Sequence, residues 1–289
     1  MRLGEAFRLA TSTDWIRPRY AKYLAGPRNV DAERYHADNL LALPERDRTK
    51  SWAASGAGKC LRARQFSFLG MVGKPPDEHG LNIFLNGTWV HLRHQVVGLS
   101  AGYLEDAEVP VRHRLYNLVG TMDAVDTTGT PVEYKSINQN GYGEVRSFGV
   151  RPDHRHQIHS YMLASDADAF RVVYENKNTN DILEFHVEKN NDEIDRVIKD
   201  LDTLNTYTDD KSLYTMLDEC KRKEGVYRWC PYASKCPTAN FQELLAKSVT
   251  HRTSSSVSVL LPSPSQQASP TSPTSSPSST STGTSSSAG

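Results

Sequence analysis

The chain of 289 residues sets 34 lysines and arginines against 34 acidic residues, a formal net charge of zero at pH 7. No global field therefore argues for nucleic acid, although a local basic groove leaves no trace in a net charge. No apolar leader opens the chain and no apolar run is long enough to span a bilayer, so the expectation is no membrane partner and a reducing cytoplasm.

Residues 1–50 read as an N-terminal helical elaboration, with Asn29 to Leu41 as its best helix. Ahead of it, Trp15, Arg17, Arg19, Tyr20, Lys22 and Tyr23 interleave rings and cations. Such a pattern suits either a stacking platform for single-stranded DNA or helix packing, and packing is favoured. Ser55 to Phe68 reads as a helix that carries Cys60, with Ser55 as its N-cap. Gly56-Ala-Gly58-Lys59-Cys60 only mimics a phosphate loop. Ala53 stands where the first glycine belongs and Cys60 where the hydroxyl belongs, so a nucleotide loop is rejected.

Asn82 to Ser100 is expected as a helix bearing His91. Arg112 to Val125 and Pro131 to Ile137 are expected as strands, and His154 to Ala164 as a helix. Phe170–Glu175 and Ile182–Val187 form a strand pair about the turn Asn176–Asp181. Ile194, Val197, Ile198, Leu201 and Leu204 recur at helical spacing. From Thr253 to Gly289 no charged residue occurs, and Ser, Thr and Pro dominate. That segment buries too little to offset its ordering entropy and reads as a disordered tail. The remaining stretch of about 250 residues is enough for one domain with an elaborated core, its main domain expected at 51–245.

The chemistry concentrates between His91 and Lys135. Glu133 and Lys135 are two apart on one expected strand, so both leave the same face. Asp126-Thr-Thr-Gly129-Thr-Pro131 is a turn cluster, so Asp123 and Glu133 fit a hairpin. A carboxylate from each strand would then meet at one point, where a hard divalent cation binds through oxygen. Lys135 would stand beside it with a positive charge.

Four cysteines accompany this set: Cys60 alone, and Cys220, Cys230 and Cys236 together. In a reducing compartment, thiols split one and three favour metal ligation over disulfides. Zinc usually shows two close pairs, so an iron–sulfur cluster is the better fit.

The order Asp123, then Glu133-Tyr134-Lys135, resembles the core of the PD-(D/E)XK nucleases. The longer series Cys60, His91, Asp123, Glu133-Tyr134-Lys135, Gln157-Ile-His-Ser-Tyr161, Cys220, Cys230, Cys236 resembles the RecB-like exonucleases of the CRISPR-associated and phage type, relatives of the AddB nuclease domain. The resemblance covers roughly residues 50–240. It implies an α/β, restriction-endonuclease-like core with a mixed central sheet, an N-terminal helical elaboration and a C-terminal Cys-rich segment. It also implies a metal-dependent DNA exonuclease acting on single-stranded ends with 5′-to-3′ polarity, in recombination or CRISPR adaptation alongside proteins of those systems. Magnesium or manganese would be held by His91, Asp123, Glu133 and the carbonyl of Tyr134, the nitrogen ligand favouring manganese. Lys135 would serve the attacking water, and Gln157 and Tyr161 would contact the DNA backbone or the lysine. Cys60, Cys220, Cys230 and Cys236 would hold a 4Fe–4S cluster.

The chain departs from the pattern at one place: many members show C-x-x-C where nine residues separate Cys220 from Cys230, and Tyr227 takes the nearer position. His94, one turn past His91, is the alternative ligand. On the His154, His156, His159 helix, residues two apart diverge, so a metal site gives way to a basic or simply solvated face. Two rival functions are a catalytically idle DNA-binding or partner-docking subunit and a structural zinc protein.

Overall fold

The computed structural model describes residues 14–44, 50–223 and 229–244. The serine- and threonine-rich tail and Tyr227 lie outside them. Among the described residues no helix is long and apolar enough to cross a membrane.

A six-stranded mixed sheet forms the centre, from β1 (Trp52–Ala53), β2 (Leu104–His113), β3 (Leu118–Asp126), β4 (Pro131–Ile137), β5 (Ala169–Asn176) and β6 (Ile182–Glu188). Antiparallel pairing joins β2 to β3, β3 to β4 and β5 to β6, whereas β4–β5 and β1–β3 run parallel. The helices are α1 (Ile16–Ala25), α2 (Val30–Leu41), α3 (Leu61–Phe68), α4 (Glu78–Ser100), α5 (Gln139–Phe148), α6 (Pro152–Ser165), α7 (Asn191–Asp209) and the short α8 (Asp218–Lys221). This is the mixed α/β architecture with N-terminal helices expected of a restriction-endonuclease-like core.

The two sheet faces bury different apolar sets. On one, Ile158 and Met162 of α6 and Val197, Leu201 and Leu204 of α7 pack with Phe170, Val172 and Tyr174 of β5. On the other, Ile16 and Tyr20 of α1 and Val97 of α4 pack with Ala124, Val132, Tyr134 and Val173. Strands covered on both faces lose simple alternation, and β5 is buried along almost its whole length.

Docking of α1 depends on a residue far along the chain. Glu184 of β6 accepts the backbone N–H groups of Trp15, Ile16 and Arg17 at 2.8, 2.9 and 3.1 Å, which satisfies the helix's otherwise orphan donors. The rings of this stretch pack, while Arg17, Arg19 and Lys22 stay exposed. Tyr20 is buried against His94, Arg19 lies over the Trp15 ring and the Tyr23 hydroxyl donates to Glu33.

Several boundaries differ from the expectation. The stretch 112–125 is not one strand but the end of β2, a turn at Arg114–Asn117 and β3. β2 escapes pattern reading because it is an edge strand carrying Glu105, Asp106, Glu108 and Pro110, the residues that blunt exposed edges. α5 is likewise unexpected, because Gly141 and Gly143 weaken its helical signal; the Asn138 side chain caps it by accepting from Gly141 N–H at 2.8 Å. Ser55 caps no helix. Ala54–Gly56 is a 3-10 turn, Gly58 has φ +73°, and α3 starts only after Cys60. α4 begins earlier than expected, at Glu78, with Asp77 as its cap.

Candidate active site

The hairpin that carries the two acids is set by its turn. Asp126, fully buried, accepts from Thr128 N–H at 2.8 Å and Thr130 N–H at 3.0 Å, and Gly129 supplies φ +81°. Arg171 of β5 donates to the second Asp126 oxygen at 2.6 Å. The two strands then pair only at Ala124↔Val132 and Val125↔Pro131 before they part. β3 stays with β2 throughout, β4 continues along β5, and the edge of β3 that β4 leaves takes up β1 at Trp52↔Leu118. The sheet forks, and Asp123 and Glu133 are the first residues inside the fork.

Within it, side chains replace the lost ladder. Asp123 Oδ2 accepts the backbone N–H of Tyr134 at 2.7 Å and lies 3.3 Å from His91 Nδ1, which reaches in from α4. The N–H and C=O of one residue leave a strand on the same edge, so the Tyr134 carbonyl is directed toward the fork as well. Lys135 Nζ donates to Glu133 Oε1 at 2.6 Å and to Gln157 Oε1 at 3.0 Å. The Gln157 amide N–H group donates back to Glu133 Oε1 at 2.8 Å. Glu133 Oε2 is buried and, among the described residues, has no hydrogen-bond partner.

The electrostatics separate the two carboxyls. Burial, and then the neighbouring Asp123 charge, push Glu133 up to about 7 against the pull of Lys135. Burial also acts to raise Asp123, but the His91 charge and hydrogen bond, Lys135 and the Tyr134 N–H outweigh it, and Asp123 is held low. Burial opposes the charge of Lys135, yet the Glu133 and Asp123 carboxylates prevail and keep the ammonium protonated. His91 is likewise raised: burial disfavours its cation, and Asp123 overcomes that.

The expected residues thus come together in part. His91, Asp123, Glu133, Tyr134, Lys135 and Gln157 meet at the fork. Among the described residues, however, no three His, Cys, Asp or Glu side chains converge closely enough to make a ready metal-binding group. Tyr161 lies one turn beneath Gln157, its ring in the core facing Phe170 and its hydroxyl 3.4 Å from Gln157 Nε2. His94 is turned away from the fork. It is fully buried, stacks on Tyr134 with ring centroids 4.8 Å apart and bonds Glu175 through Nε2 at 2.8 Å. The histidines of α6 are not a solvated face. His154 bonds the Tyr174 hydroxyl at 2.7 Å, His156 lies between Glu193 and Asp200, and buried His159 links the Arg155 carbonyl to Asn190 N–H.

None of the four cysteines is joined in a disulfide. Cys60 precedes α3, and the segment holding Cys230 and Cys236 docks on that helix through a Phe66–Tyr232 ring contact and an Arg62 hydrogen bond to the Cys236 carbonyl at 3.1 Å. Burial raises the Cys230 thiol, and the proximity of Cys60 and Cys236 raises it further. Cys220 is buried on α8.

A separate groove of about 1230 Å³ runs between α1, α5 and β6, lined by Tyr20, Tyr142, Arg146, Phe148 and Phe185. It shares no residue with the fork. Sequence reading missed the Arg93–Glu175–His94 group that braces the back of Tyr134, because its carboxylate comes from β5, some 80 positions away.

No family model matches the chain, and no curated protein matches it. Among solved structures, a protein designated SSO0001 is similar at 15% identity and a TM-score of 0.43, over 74% of this chain and 98% of its own. An alkaline exonuclease, LHK-Exo from Laribacter hongkongensis, is similar at 11% identity and a TM-score of 0.45, over 57% of this chain and 90% of its own. LHK-Exo in complex with dAMP is similar at 12% identity and a TM-score of 0.44.

Proposed function

We propose that this chain is a metal-dependent deoxyribonuclease that hydrolyses phosphodiester bonds at single-stranded DNA ends. The observation that carries the reading is the forked hairpin, which sets half-buried Asp123 beside buried Glu133, leaves Glu133 Oε2 without a hydrogen-bond partner among the described residues and sets Lys135 against both. Two acids with a free carboxylate oxygen form an expensive arrangement unless a cation shares it. The donor set fits magnesium or manganese, which Asp123, Glu133, the Tyr134 carbonyl and His91 would hold. When bound, such an ion lowers the pKa of a water and polarises a phosphate.

The chain's own residues do the rest. Lys135 stays protonated and offsets the charge that develops on the phosphate oxygens while it orients the attacking water. Gln157 positions Lys135: its carbonyl accepts from the ammonium, and its amide N–H group tethers Glu133. Tyr161 limits the swing of Gln157 from below. Polarity from 5′ to 3′, and a role in phage recombination or CRISPR-type processing, follow the resemblance of the motif series. The same resemblance assigns a 4Fe–4S cluster to Cys60, Cys220, Cys230 and Cys236; the proximity of Cys60 and Cys236 to Cys230 supports it.

The test is end-labelled single-stranded DNA with manganese, using protein purified without oxygen beside Lys135→Ala. Ladder formation by the wild type alone supports the nuclease and the place of Lys135 in it. If both proteins bind DNA and neither cleaves it, the chain is a DNA-binding subunit.

A further inference from the structure

The rejected phosphate-loop mimic, Gly56-Ala-Gly58-Lys59, lies at the open side of the fork. β1 pairs with β3 at Leu118 and Val119, and the methyl of Ala54 lies 3.0 Å from where a Cβ on Gly120 would stand. Ala57 N–H then donates to the Ala54 carbonyl at 3.0 Å and Lys59 N–H to the Gly56 carbonyl at 3.1 Å, two consecutive tight turns. Gly58 turns the chain through φ +73° against the first turn of α6, where its missing Cβ would stand 3.6 Å from Asp153 Cα and 3.6 Å from the Cβ of His156. The loop therefore bridges the start of β3 and the N-terminus of α6, with Lys59 between them.

The surroundings of this lysine are unusual for a cation. The residue reaches solvent, yet burial of its ammonium among neighbouring groups is the largest influence on it and lowers its pKa. The charges that act on it most are the like charges of Lys135 and Arg64, with Asp153 a weaker counterweight. Arg64 points inward, toward Asp200 at 3.9 Å, and Lys135 is engaged by Glu133 and Gln157. Lys59 is thus, among the described residues, an accessible cation beside the fork. Burial, and then the like charge of Lys135, hold neighbouring His154 down at about 4, so it carries no charge with which to compete for an anion. Two ammonium groups facing one cleft repel each other unless an anion lies between or beside them.

The geometry points to Lys59 as a substrate-binding residue that holds a DNA backbone phosphate adjoining the one cleaved. This rests on the nuclease reading. Lys135 stands over the reacting group, and Lys59 fixes the register of the strand that enters the fork from the side of β1 and α6. A single contact of this kind carries no base preference, because phosphate contacts position the strand and base contacts specify it.

The experiment is fluorescence anisotropy with a labelled oligothymidylate in EDTA, across a potassium chloride series, for the wild type, Lys59→Gln, Lys59→Met and Lys59→Arg. Loss of one phosphate contact should weaken binding about tenfold, the effect of a charged hydrogen bond. It should also flatten the dependence of log K on log salt by about 0.7 for a single strand. Arginine should restore both, and with manganese the loss should fall on KM rather than kcat. Glutamine and methionine test the same loss of charge with different stems, so a melting defect in one leaves the other to decide. Wild-type affinity and slope in both variants, with clear salt-dependent binding by the parent, would overturn the role of Lys59 and leave the nuclease reading standing. Absence of salt-dependent DNA binding by the wild type would overturn both.

Discussion

Replacing Glu133 with glutamine should stabilise the metal-free protein at alkaline pH while destroying the candidate site. The folded carboxyl titrates at about 7 against an ordinary 4.5, driven first by burial and then by Asp123. A pKa raised in the fold means that the native state holds this proton more tightly than the unfolded chain does. The contribution is fully present below the ordinary value and is lost as pH rises through the folded one. Each pH unit of the gap corresponds to about 1.4 kcal/mol, so the ionised carboxylate costs the fold about 3 kcal/mol above pH 7. The side chain is only 3% exposed, so solvent does little to screen it. Glutamine keeps an amide oxygen for Lys135 and Gln157 and carries no charge. In EDTA at pH 8, Glu133→Gln should gain about 2–3 kcal/mol, roughly 4–12 °C in Tm for a folded part of this size. At pH 5.5 the gain should shrink to about 1 kcal/mol, since the wild-type carboxyl is then largely protonated. Magnesium or manganese should raise the wild-type melting temperature and leave the variant unmoved. Scanning calorimetry of both proteins, with and without metal, measures all of this. A variant no more stable than the wild type at pH 8 in EDTA would refute the claim that the fork stores unfavourable charge.

Further consequences follow from contacts elsewhere. Glu184→Ala should cost about 3 kcal/mol, because it orphans three N–H groups of α1 and removes a carboxylate beside Arg171; urea denaturation checks it, and a loss below about 1 kcal/mol would mean that the capping carboxylate contributes little. Gly120→Ala would place a methyl 2.5 Å from Tyr161 Cε1 and 3.0 Å from Ala54 Cβ. About 1–3 kcal/mol of stability should be lost, and cleavage should fall further than melting does, since Tyr161 underlies Gln157. Cys230→Ser should lose the brown absorbance of anaerobically purified protein and melt early; full absorbance with wild-type melting would remove the cluster from this account.

The local chemistry of the site is written in short stretches of sequence. Asp126 to Pro131 is a turn whatever surrounds it, and the two-residue period of a strand puts Glu133 and Lys135 on one face. Strand β4, the β5–β6 hairpin and α7 are equally legible, since each has an unbroken apolar pattern bounded by turn residues or a cap. Edge strand β2 and the glycine-bearing α5 were not, because their residues answer to neighbours that local pattern cannot name.

What only tertiary structure decided is where the sheet opens and who stands at the opening. β3 could have paired with β4 along its length; the competing claims of β1 on that edge of β3 and of β5 on β4 part them after two residue pairs, and that parting frees the acids from the ladder. The choice between His91 and His94 belongs to the same level. Both lie on α4, and only the packing of Tyr134 and the carboxylate of Glu175 hold one of them in the core and leave the other to face Asp123. Lys59 shows the same limit: its loop reads as a failed nucleotide motif in isolation and acquires a neighbour in Lys135 only through the fold. Sequence specifies which groups a short segment can offer. The direction in which they point is set by contacts between residues tens of positions apart, whose energies no local period encodes.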